Sequence, residues 1–336
     1  MKKSLVSLLL ALAFVAPAFA GSGKVDYKEV AKFTIGGEGG WDYLNFDPDG
    51  NRLFIAHGMN IFVVDASSGK KIGEMTSEGA HGVALVPEKN LGFFTNGRAG
   101  TVTVFDSKTL QPKESIKVGE NPDAIIYDSH SKHVIVMNGR SKNMMAIDPS
   151  TLKVVADVPL GGKLEYAAAD EGHVYINVED TGEIAAVDSK TWKLSQRWKL
   201  NGCEEPSGLA IDLKQDRLFT VCGNKKMLVI NAKDGSELAS LPTGDGTDGA
   251  GYDPGLNLAF ASNGEGTLTV VSETKDGKYE VAQNVTTARG ARTMTVDPKT
   301  HKVYVDTAEL GAPAEGQRRP SIKPGTFMVL VYAPSK

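Results

Sequence analysis

The chain has 336 residues, of which 41% are hydrophobic and 23% charged, and acidic residues outnumber basic ones to give a formal net charge of −4. This composition is typical of a globular protein and excludes a disordered or collagen-like chain. The acidic balance argues against nucleic acid as a partner, because binding to phosphates requires a broad basic surface.

The first twenty residues predict an export signal. Lys2 and Lys3 precede an apolar run from Leu5 to Val15, and small residues around Ala20 provide a cleavage site. We therefore expect a periplasmic protein whose mature part, 21–336, forms a single domain. No later stretch reaches the roughly 18 apolar residues of a bilayer span.

Cys203 and Cys222 are the two cysteines of the chain. In an oxidising compartment such an isolated pair is expected to form a disulfide rather than a reactive centre. The sequence has no C-x-x-C, no C-x-x-C-H and no G-x-S-x-G. The sequence therefore gives no motif support for thiol redox chemistry, haem attachment or serine hydrolysis.

A short strand-like motif recurs seven times along the chain. Its copies are LFIAHG from Leu53, GFFTNG from Gly92, VIVMNG from Val134, VYINVE from Val174, LFTVCG from Leu218, AFASNG from Ala259 and VYVDTA from Val303. Successive copies are 39 to 44 residues apart, which is the length of one propeller blade.

Each repeat contains four short runs rich in β-branched and aromatic residues, separated by turn signals such as Asp-Pro and Asn-Gly. Seven such units without sustained helical periodicity predict an all-β, seven-bladed β-propeller with four-stranded antiparallel blades. The seventh unit ends after its third strand, FMVLVYA, whereas the run EVAKFTI precedes the first unit. We expect this N-terminal strand to complete the last blade and close the ring.

Three segments carry a resemblance to a known family: FTNGRAGTVTVFDSKT from Phe94, VMNGRSKNMMAIDPST from Val136 and INVEDTGEIAAVDSKT from Ile176. The chain resembles the YVTN-repeat, YncE-like family of exported seven-bladed propellers over almost all of its mature length. The resemblance implies the fold and export, but the fold serves unrelated activities. It also departs from the family pattern where Ser272 and Tyr332 replace the Asp that ends the third strand in units one to four.

That Asp column comprises Asp65, Asp106, Asp148 and Asp188. Acidic residues at equivalent places could suggest catalysis. An Asp at a strand end, however, can accept hydrogen bonds from backbone N–H groups two residues ahead, which fixes a turn. We interpret this column as structural, together with the Asp-Pro turns at Asp47, Asp253 and Asp297.

A second column is polar in all seven units and lies near the start of each first strand. We call it the channel column: Asp42, His81, Asp123, Glu165, Ser207, Asp248 and Arg292. First strands surround the central channel of a propeller, so these side chains should converge on one opening. Crowded carboxylates there would have raised pKa values or recruit a cation. Ca²⁺ is the candidate cation, with Asp42, Asp123, Glu165 and Asp248 as its ligands; a water-filled hydrophilic wall is the alternative.

Several other residues are expected on the same face. The ends of the second strands place His57, Asn96, Asn138, Asn263 and Asp306 around the channel column, where Asn either serves left-handed turn chemistry in Asn-Gly or recognises a ligand. Trp41 is expected to be an exposed aromatic beside them. About sixteen extra residues in the seventh unit (about 309–325) predict a projecting loop, in which Arg318 and Arg319 would form a cationic flap.

Three functions follow as hypotheses. The first is a periplasmic binding or scaffold protein that holds a small ligand or a partner protein at the channel mouth. The second is a divalent-metal-dependent hydrolase, because lactonase-type propellers of similar architecture bind an ion among channel carboxylates, and His81 could then accept a proton. A third hypothesis is an accessory role beside an exported redox enzyme. The sequence identifies neither the substrate, the partner nor the oligomeric state.

Overall fold

The computed structural model describes residues 26–313 and 320–335. The export signal and the pair Arg318 and Arg319 lie outside these residues. The described chain consists of short strands and two single-turn 3₁₀ helices, Pro87–Lys89 and Glu179–Thr181. No helix in this part of the chain has the length and apolarity needed to cross a membrane.

The strands form seven four-stranded antiparallel sheets arranged as a ring, which confirms the predicted seven-bladed propeller. After β1 (Tyr27–Thr34), blade 1 contains β2 (Trp41–Asp47), β3 (Arg52–His57), β4 (Asn60–Asp65) and β5 (Lys71–Thr76); blade 2 contains β6 (Ala80–Val86), β7 (Leu91–Asn96), β8 (Thr101–Asp106) and β9 (Pro112–Lys117); blade 3 contains β10 (Pro122–Asp128), β11 (His133–Asn138), β12 (Asn143–Asp148) and β13 (Lys153–Pro159). Blade 4 contains β14 (Leu164–Ala169), β15 (His173–Val178), β16 (Glu183–Asp188) and β17 (Lys193–Lys199); blade 5 contains β18 (Pro206–Asp212), β19 (Arg217–Cys222), β20 (Lys226–Asn231) and β21 (Glu237–Pro242); blade 6 contains β22 (Thr247–Asp253), β23 (Leu258–Asn263), β24 (Thr267–Glu273) and β25 (Tyr279–Thr286). Blade 7 combines β26 (Thr293–Asp297), β27 (Lys302–Thr307) and β30 (Met328–Pro334) with β1.

The N-terminal strand closes the ring as predicted. β1 pairs antiparallel with β30, from Tyr27 opposite Pro334 to Thr34 opposite Met328. The Tyr27 hydroxyl donates a hydrogen bond to the carbonyl of His301 (3.0 Å), and Gln283 of blade 6 bonds the Tyr27 backbone. Blade 7 therefore joins both ends of the described chain and protects its edge strand.

The core lies between blades because neighbouring residues of a strand point to opposite faces of its sheet. In β3, Phe54 packs toward blade 2, where its ring centroid lies 5.8 Å from that of Phe105. The next residue, Ile55, packs toward blade 7 in the cluster that holds Tyr304 and Val331. A buried side chain of this size contributes roughly 2–3 kcal/mol of transfer free energy. Each blade thus depends on both neighbours for its stability.

The Asp residues that end the third strands form turns, as predicted. Asp65 accepts hydrogen bonds from the backbone N–H groups of Ser67 (3.2 Å) and Ser68 (2.8 Å). Asp106, Asp148 and Asp188 accept equivalent bonds from residues two positions ahead. Asp47, Asp253 and Asp297 do the same between first and second strands.

The insertion in the seventh unit differs from the predicted loop. Its described parts form a two-stranded antiparallel ribbon, β28 (Leu310–Pro313) and β29 (Pro320–Ile322), in which Leu310 lies opposite Ile322. Both of these side chains pack against the core cluster between blades 7 and 1. The prediction was wrong here because these two apolar residues, twelve positions apart, provide a partly buried face that the Gly- and Pro-rich composition conceals.

Candidate functional site

The register of the blades brings two sets of residues to one face of the disc. In each blade the start of the first strand lies opposite the end of the second, as in the pairs Trp41–His57, Pro122–Asn138 and Thr293–Asp306. First strands of adjacent blades contact each other all around the axis. We call the side on which these strands start the mouth face.

A break in strand pairing marks the channel column. In six of the seven first strands the register shifts at this position, for example between Trp41 and Leu44 and between Pro206 and Leu209. In the seventh blade, Arg292 immediately precedes β26. A bulge removes a residue from the pleat and redirects its side chain. This is how a strand packed between two sheets can present a polar group to the channel.

The contacts show that column side chains from different blades meet. His81 Nδ1 donates a hydrogen bond to Asp42 Oδ2 (2.7 Å) and lies 3.2 Å from Asp123 Oδ1. Burial lowers the pKa of His81, but the hydrogen bond and the charges of the two carboxylates outweigh it, so that the pKa of His81 is raised. The two carboxylates thus favour the protonated imidazole, which joins blades 1, 2 and 3.

The next carboxylate, Glu165, faces a lysine that the sequence analysis missed. Lys163 Nζ lies 2.7 Å from Glu165 Oε1 and also contacts Glu179. Burial and the neighbouring acids Glu179 and Asp123 raise the pKa of Glu165 to about 9, although Lys163 acts in the opposite direction. Burial also raises the pKa of Asp123. The charge of His81 lowers this pKa, but it does not outweigh burial and the charge of Asp42.

On the opposite side of the mouth, Arg292 connects three blades. Its Nε donates to Asp248 Oδ2 (2.9 Å), its Nη2 donates to the carbonyl of Trp41 (3.2 Å), and the Ser207 hydroxyl donates to the carbonyl of Asp248 (3.1 Å). Burial raises the pKa of Asp248 to about 6 against the lowering effect of Arg292. Each acid of the channel column thus contacts a basic side chain: Asp42 and Asp123 contact His81, Glu165 contacts Lys163, and Asp248 contacts Arg292.

Two tyrosines lie directly beneath this lining. The ring centroids of Tyr43 in blade 1 and Tyr166 in blade 4 are 4.7 Å apart, and the Tyr43 hydroxyl is 3.4 Å from Glu165 Oε2. Burial raises the pKa of Tyr43 well above its usual range, with further contributions from Glu165 and Asp248. Since blades 1 and 4 lie across the ring from each other, these two rings meet across the channel. We call the channel-column side chains together with these two tyrosines the cup, and the tyrosine pair its floor.

Two residues that were expected at the mouth are buried instead. His57 is 1% exposed and packs between the rings of Phe62 (4.5 Å) and Phe327 (4.3 Å), and neither of its ring nitrogens has a hydrogen-bond partner among the described residues. Trp41 is 8% exposed and packs against Phe327. The prediction of an accessible His57 and an exposed Trp41 is wrong because Phe327, distant in sequence, covers both.

The three asparagines are also buried, and their backbone is not left-handed, so the Asn-Gly turn explanation is wrong. Asn96 accepts hydrogen bonds from Ser77 and Glu78 and donates to the hydroxyls of Thr101 and Thr103. Asn263 makes the equivalent bonds with Thr247, Thr267 and Thr269, and Asn138 donates to the carbonyl of Asn143. These amides are buried and hold strands together, although the Asn138 Oδ1 has no hydrogen-bond partner among the described residues.

Blades 5 and 7 have other functional groups at this position. Blade 5 has Cys222 in place of the asparagine, and the predicted disulfide to Cys203 is present, joining the second strand to the connection that precedes the first. Blade 7 has Asp306, which accepts a hydrogen bond from the Thr293 hydroxyl (2.6 Å) while its second oxygen is buried without a partner among the described residues. Burial raises the pKa of Asp306 to about 8.

The structure does not gather the four predicted metal ligands into one set. Asp248 pairs with Arg292 and Glu165 pairs with Lys163. Among the described residues, one group of three or more metal-binding side chains has its ligand atoms within 4.8 Å of one another, namely Asp42, His81 and Asp123. Carboxylate and imidazole ligands fit a divalent ion there, but the His81 nitrogen already bridges the two acids.

Comparison with known proteins supports the fold and nothing finer. No family model and no curated protein matches the chain. The chain is similar in structure to a component of Kuenenia stuttgartiensis hydrazine synthase (TM-score 0.67, 17% identity, covering 86% of this chain and 96% of that one). It is also similar to U3-55K, with a TM-score of 0.73 and 9% identity over 91% of this chain and 98% of that one. The similarity to the RRP9 WD40 repeats has a TM-score of 0.74 and 8% identity over 92% of this chain and 98% of that one. These TM-scores show a shared propeller fold, which is compatible with a binding or scaffold role. Membership of the YVTN-repeat, YncE-like family stays a prediction.

Proposed function

We propose that this protein is an exported binding protein whose cup at the mouth face holds a small polar ligand through a cationic group. The single observation that carries the proposal is the convergence of channel-column side chains from separate blades above a floor formed by Tyr43 and Tyr166. A rigid ring that presents convergent polar groups over an aromatic surface is suited to ligand binding.

The charges of the cup favour a cation. Five carboxylates line it (Asp42, Asp123, Glu165, Glu179 and Asp248), whereas three basic side chains face them (His81, Lys163 and Arg292). Burial raises the pKa values of Asp123, Glu165 and Asp248, and the neighbouring carboxylates add to this effect. An ammonium group would supply the missing charge, and the tyrosine rings would add a cation–π contribution.

Export is part of the proposal. It is supported by the leader-like N-terminus and by the disulfide, which is typical of an oxidising compartment. Fractionation of the native host should place the protein outside the cytoplasm, with the leader removed near Ala20. A cytoplasmic protein that retains its N-terminus would contradict this part.

Calorimetry tests the ligand class. We expect butylammonium to bind more tightly than butyrate or butanol, and the substitutions Asp123→Asn and Glu165→Gln together to weaken it about tenfold. The matched control carries Asp148→Asn and Asp188→Asn, which remove two carboxylates from the opposite face. Because Glu165 must lose a proton to pair with a cation, affinity should rise between pH 6 and 9. Equal binding of the three probes, or equal weakening in the control, would contradict the proposal.

A divalent-metal-dependent hydrolase of lactonase type is the second candidate, favoured by the cluster of Asp42, His81 and Asp123. Titration of chelator-treated protein with Ca²⁺, Mg²⁺ and Zn²⁺ separates the two. Metal binding that is lost in Asp42→Asn would support this candidate, together with metal-dependent lactone hydrolysis. Ammonium binding in the absence of any metal response would support the first.

A further inference from the structure

A separate cleft lies on the mouth face, outward from the cup and between blades 6 and 7. Its volume is about 410 Å³, and it is lined by β1, the connection from Thr287 to Arg289, the base of the ribbon and β30. This volume lies at the lower end of the range that small-molecule sites occupy. None of the channel-column residues lines it. We call it the ribbon cleft.

The floor of the ribbon cleft is apolar. Met328 and Leu330 are buried members of the core cluster between blades 6 and 7, and Ala288 packs against that cluster. Leu310, at the base of the ribbon, forms a side wall. An alkyl chain laid on this floor would remove its own surface from water, at roughly 25 cal/mol for each Å² of apolar area buried.

Basic side chains stand around this floor. Lys32 pairs with Leu330 across β1 and β30, which puts the lysine on the same side of the sheet as the floor. Arg289 lies at the other edge, and its backbone carbonyl accepts a hydrogen bond from the Thr307 hydroxyl (2.8 Å). Within residues 26–313 and 320–335, neither Lys32 nor Arg289 forms a salt bridge. These two charges are available to an anion.

The acids of the ribbon cleft are already engaged. Glu309 pairs with Lys323 (3.1 Å), and Glu29 accepts a hydrogen bond from the Tyr332 hydroxyl (3.4 Å). Thr287 lines the same cleft. Its hydroxyl oxygen is buried next to the cleft and has no hydrogen-bond partner among the described residues. An unsatisfied buried hydroxyl costs free energy that a ligand oxygen could recover.

We propose that the ribbon cleft binds a small amphipathic carboxylate. The carboxylate would lie between Lys32 and Arg289, with the Thr287 hydroxyl as an additional donor, and the alkyl chain would cover Met328 and Leu330. The apolar floor favours this class over inorganic phosphate or another fully hydrated anion. The site is independent of the cup and of the function proposed for it.

Calorimetry at low ionic strength with decanoate, decylammonium and decanol tests this site. Decanoate should bind most tightly. Lys32→Gln combined with Arg289→Gln should weaken it about tenfold, and Thr287→Val by a few fold. Lys28→Gln combined with Arg98→Gln removes the same two charges outside the cleft and should leave decanoate affinity unchanged, as should the cup variant with Asp123→Asn and Glu165→Gln.

Reversal of the charges gives a second readout. With Lys32→Glu and Arg289→Glu the preference should change from decanoate to decylammonium, while melting temperature and circular dichroism stay close to wild type because both side chains are exposed. Three results would overturn the proposal: no decanoate binding, equal affinity for decanoate and decylammonium, or affinity that neither the neutral nor the reversed variant alters. The last would indicate nonspecific adsorption to the surface.

Discussion

Aspartate and glutamate recur in two regions of this propeller, and their electrostatic situations are opposite. At the ends of the third strands, Asp65, Asp106, Asp148 and Asp188 accept hydrogen bonds from backbone N–H groups within three residues, and their pKa values are lowered. At the mouth, Asp123, Glu165 and Asp248 are crowded and partly buried, and their pKa values are raised. Carboxyl groups are thus stabilised by adjacent backbone N–H groups in one region and by other side chains, mostly from other blades, in the other.

The difference predicts opposite effects of pH on stability. A carboxyl whose folded pKa is lowered contributes stability that is present above its unfolded pKa and is lost as pH falls through the folded value. A carboxyl whose folded pKa is raised contributes stability that is present below its unfolded pKa and is lost as pH rises through the folded value. The Asp residues at the third-strand ends therefore lose their contribution to stability below about pH 4, whereas the mouth carboxyls lose theirs between about pH 4 and 9.

The largest test concerns Asp306, which is fully buried and has a pKa raised to about 8. Asp306→Asn should stabilise the protein at pH 9 relative to wild type and have little such effect at pH 5, because the amide cannot ionise. The difference between the two pH values should be on the order of 3 kcal/mol in the free energy of unfolding, measured by urea denaturation. Asn263→Asp is the matched reciprocal change and should be more destabilising at pH 9 than at pH 5. Equal effects of Asp306→Asn at both pH values would mean that Asp306 is ionised throughout.

The second test concerns Glu165, whose pKa is raised to about 9. Wild type should lose stability from pH 5 to pH 9, and Glu165→Gln should reduce that loss by on the order of 2 kcal/mol, since the glutamine keeps the shape without the ionisation. Thermal unfolding across this range measures the slope. Asp148→Asn at a strand end serves as the control and should leave the slope unchanged. A slope that Asp148→Asn alters as much as Glu165→Gln would remove the contrast between the two regions.

The architecture could be predicted because a propeller repeats its signals. The spacing of the second-strand motif, the four runs in each unit and the incomplete seventh unit together predicted the blades and the role of β1, which the sheet order confirms. The strand-end Asp turns are local, so each could be read within a few residues. Contacts that depend on tertiary packing were misjudged, as His57 and Trp41 show, since Phe327 reaches them from the far end of the chain.

At the mouth, the positions of the column could be predicted but its chemistry could not. The bulges that redirect these side chains leave no signature in hydrophobic alternation. Two signals were nevertheless present. Lys163 lies two residues before Glu165, where other units have Gly, Asn or Glu, and Tyr43 and Tyr166 follow the column residue where other units have Gly, Ala or Thr. Large residues at an otherwise small position indicate that something fills the channel.

The smallest test compares one cation in each region. Arg292→Gln should raise the pKa of Asp248 above about 6 by roughly one unit, because Arg292 is the main group that lowers it against the effect of burial. Lys113→Gln removes the cation 3.2 Å from Asp106, yet the pKa of Asp106 should rise less, since the backbone N–H of Thr109 contributes most to its lowering. Titration of the carboxyl ¹³C shifts measures both values. If Lys113→Gln moved Asp106 as far as Arg292→Gln moves Asp248, distant cations would matter equally in the two regions, and the distinction between local and long-range stabilisation would be wrong.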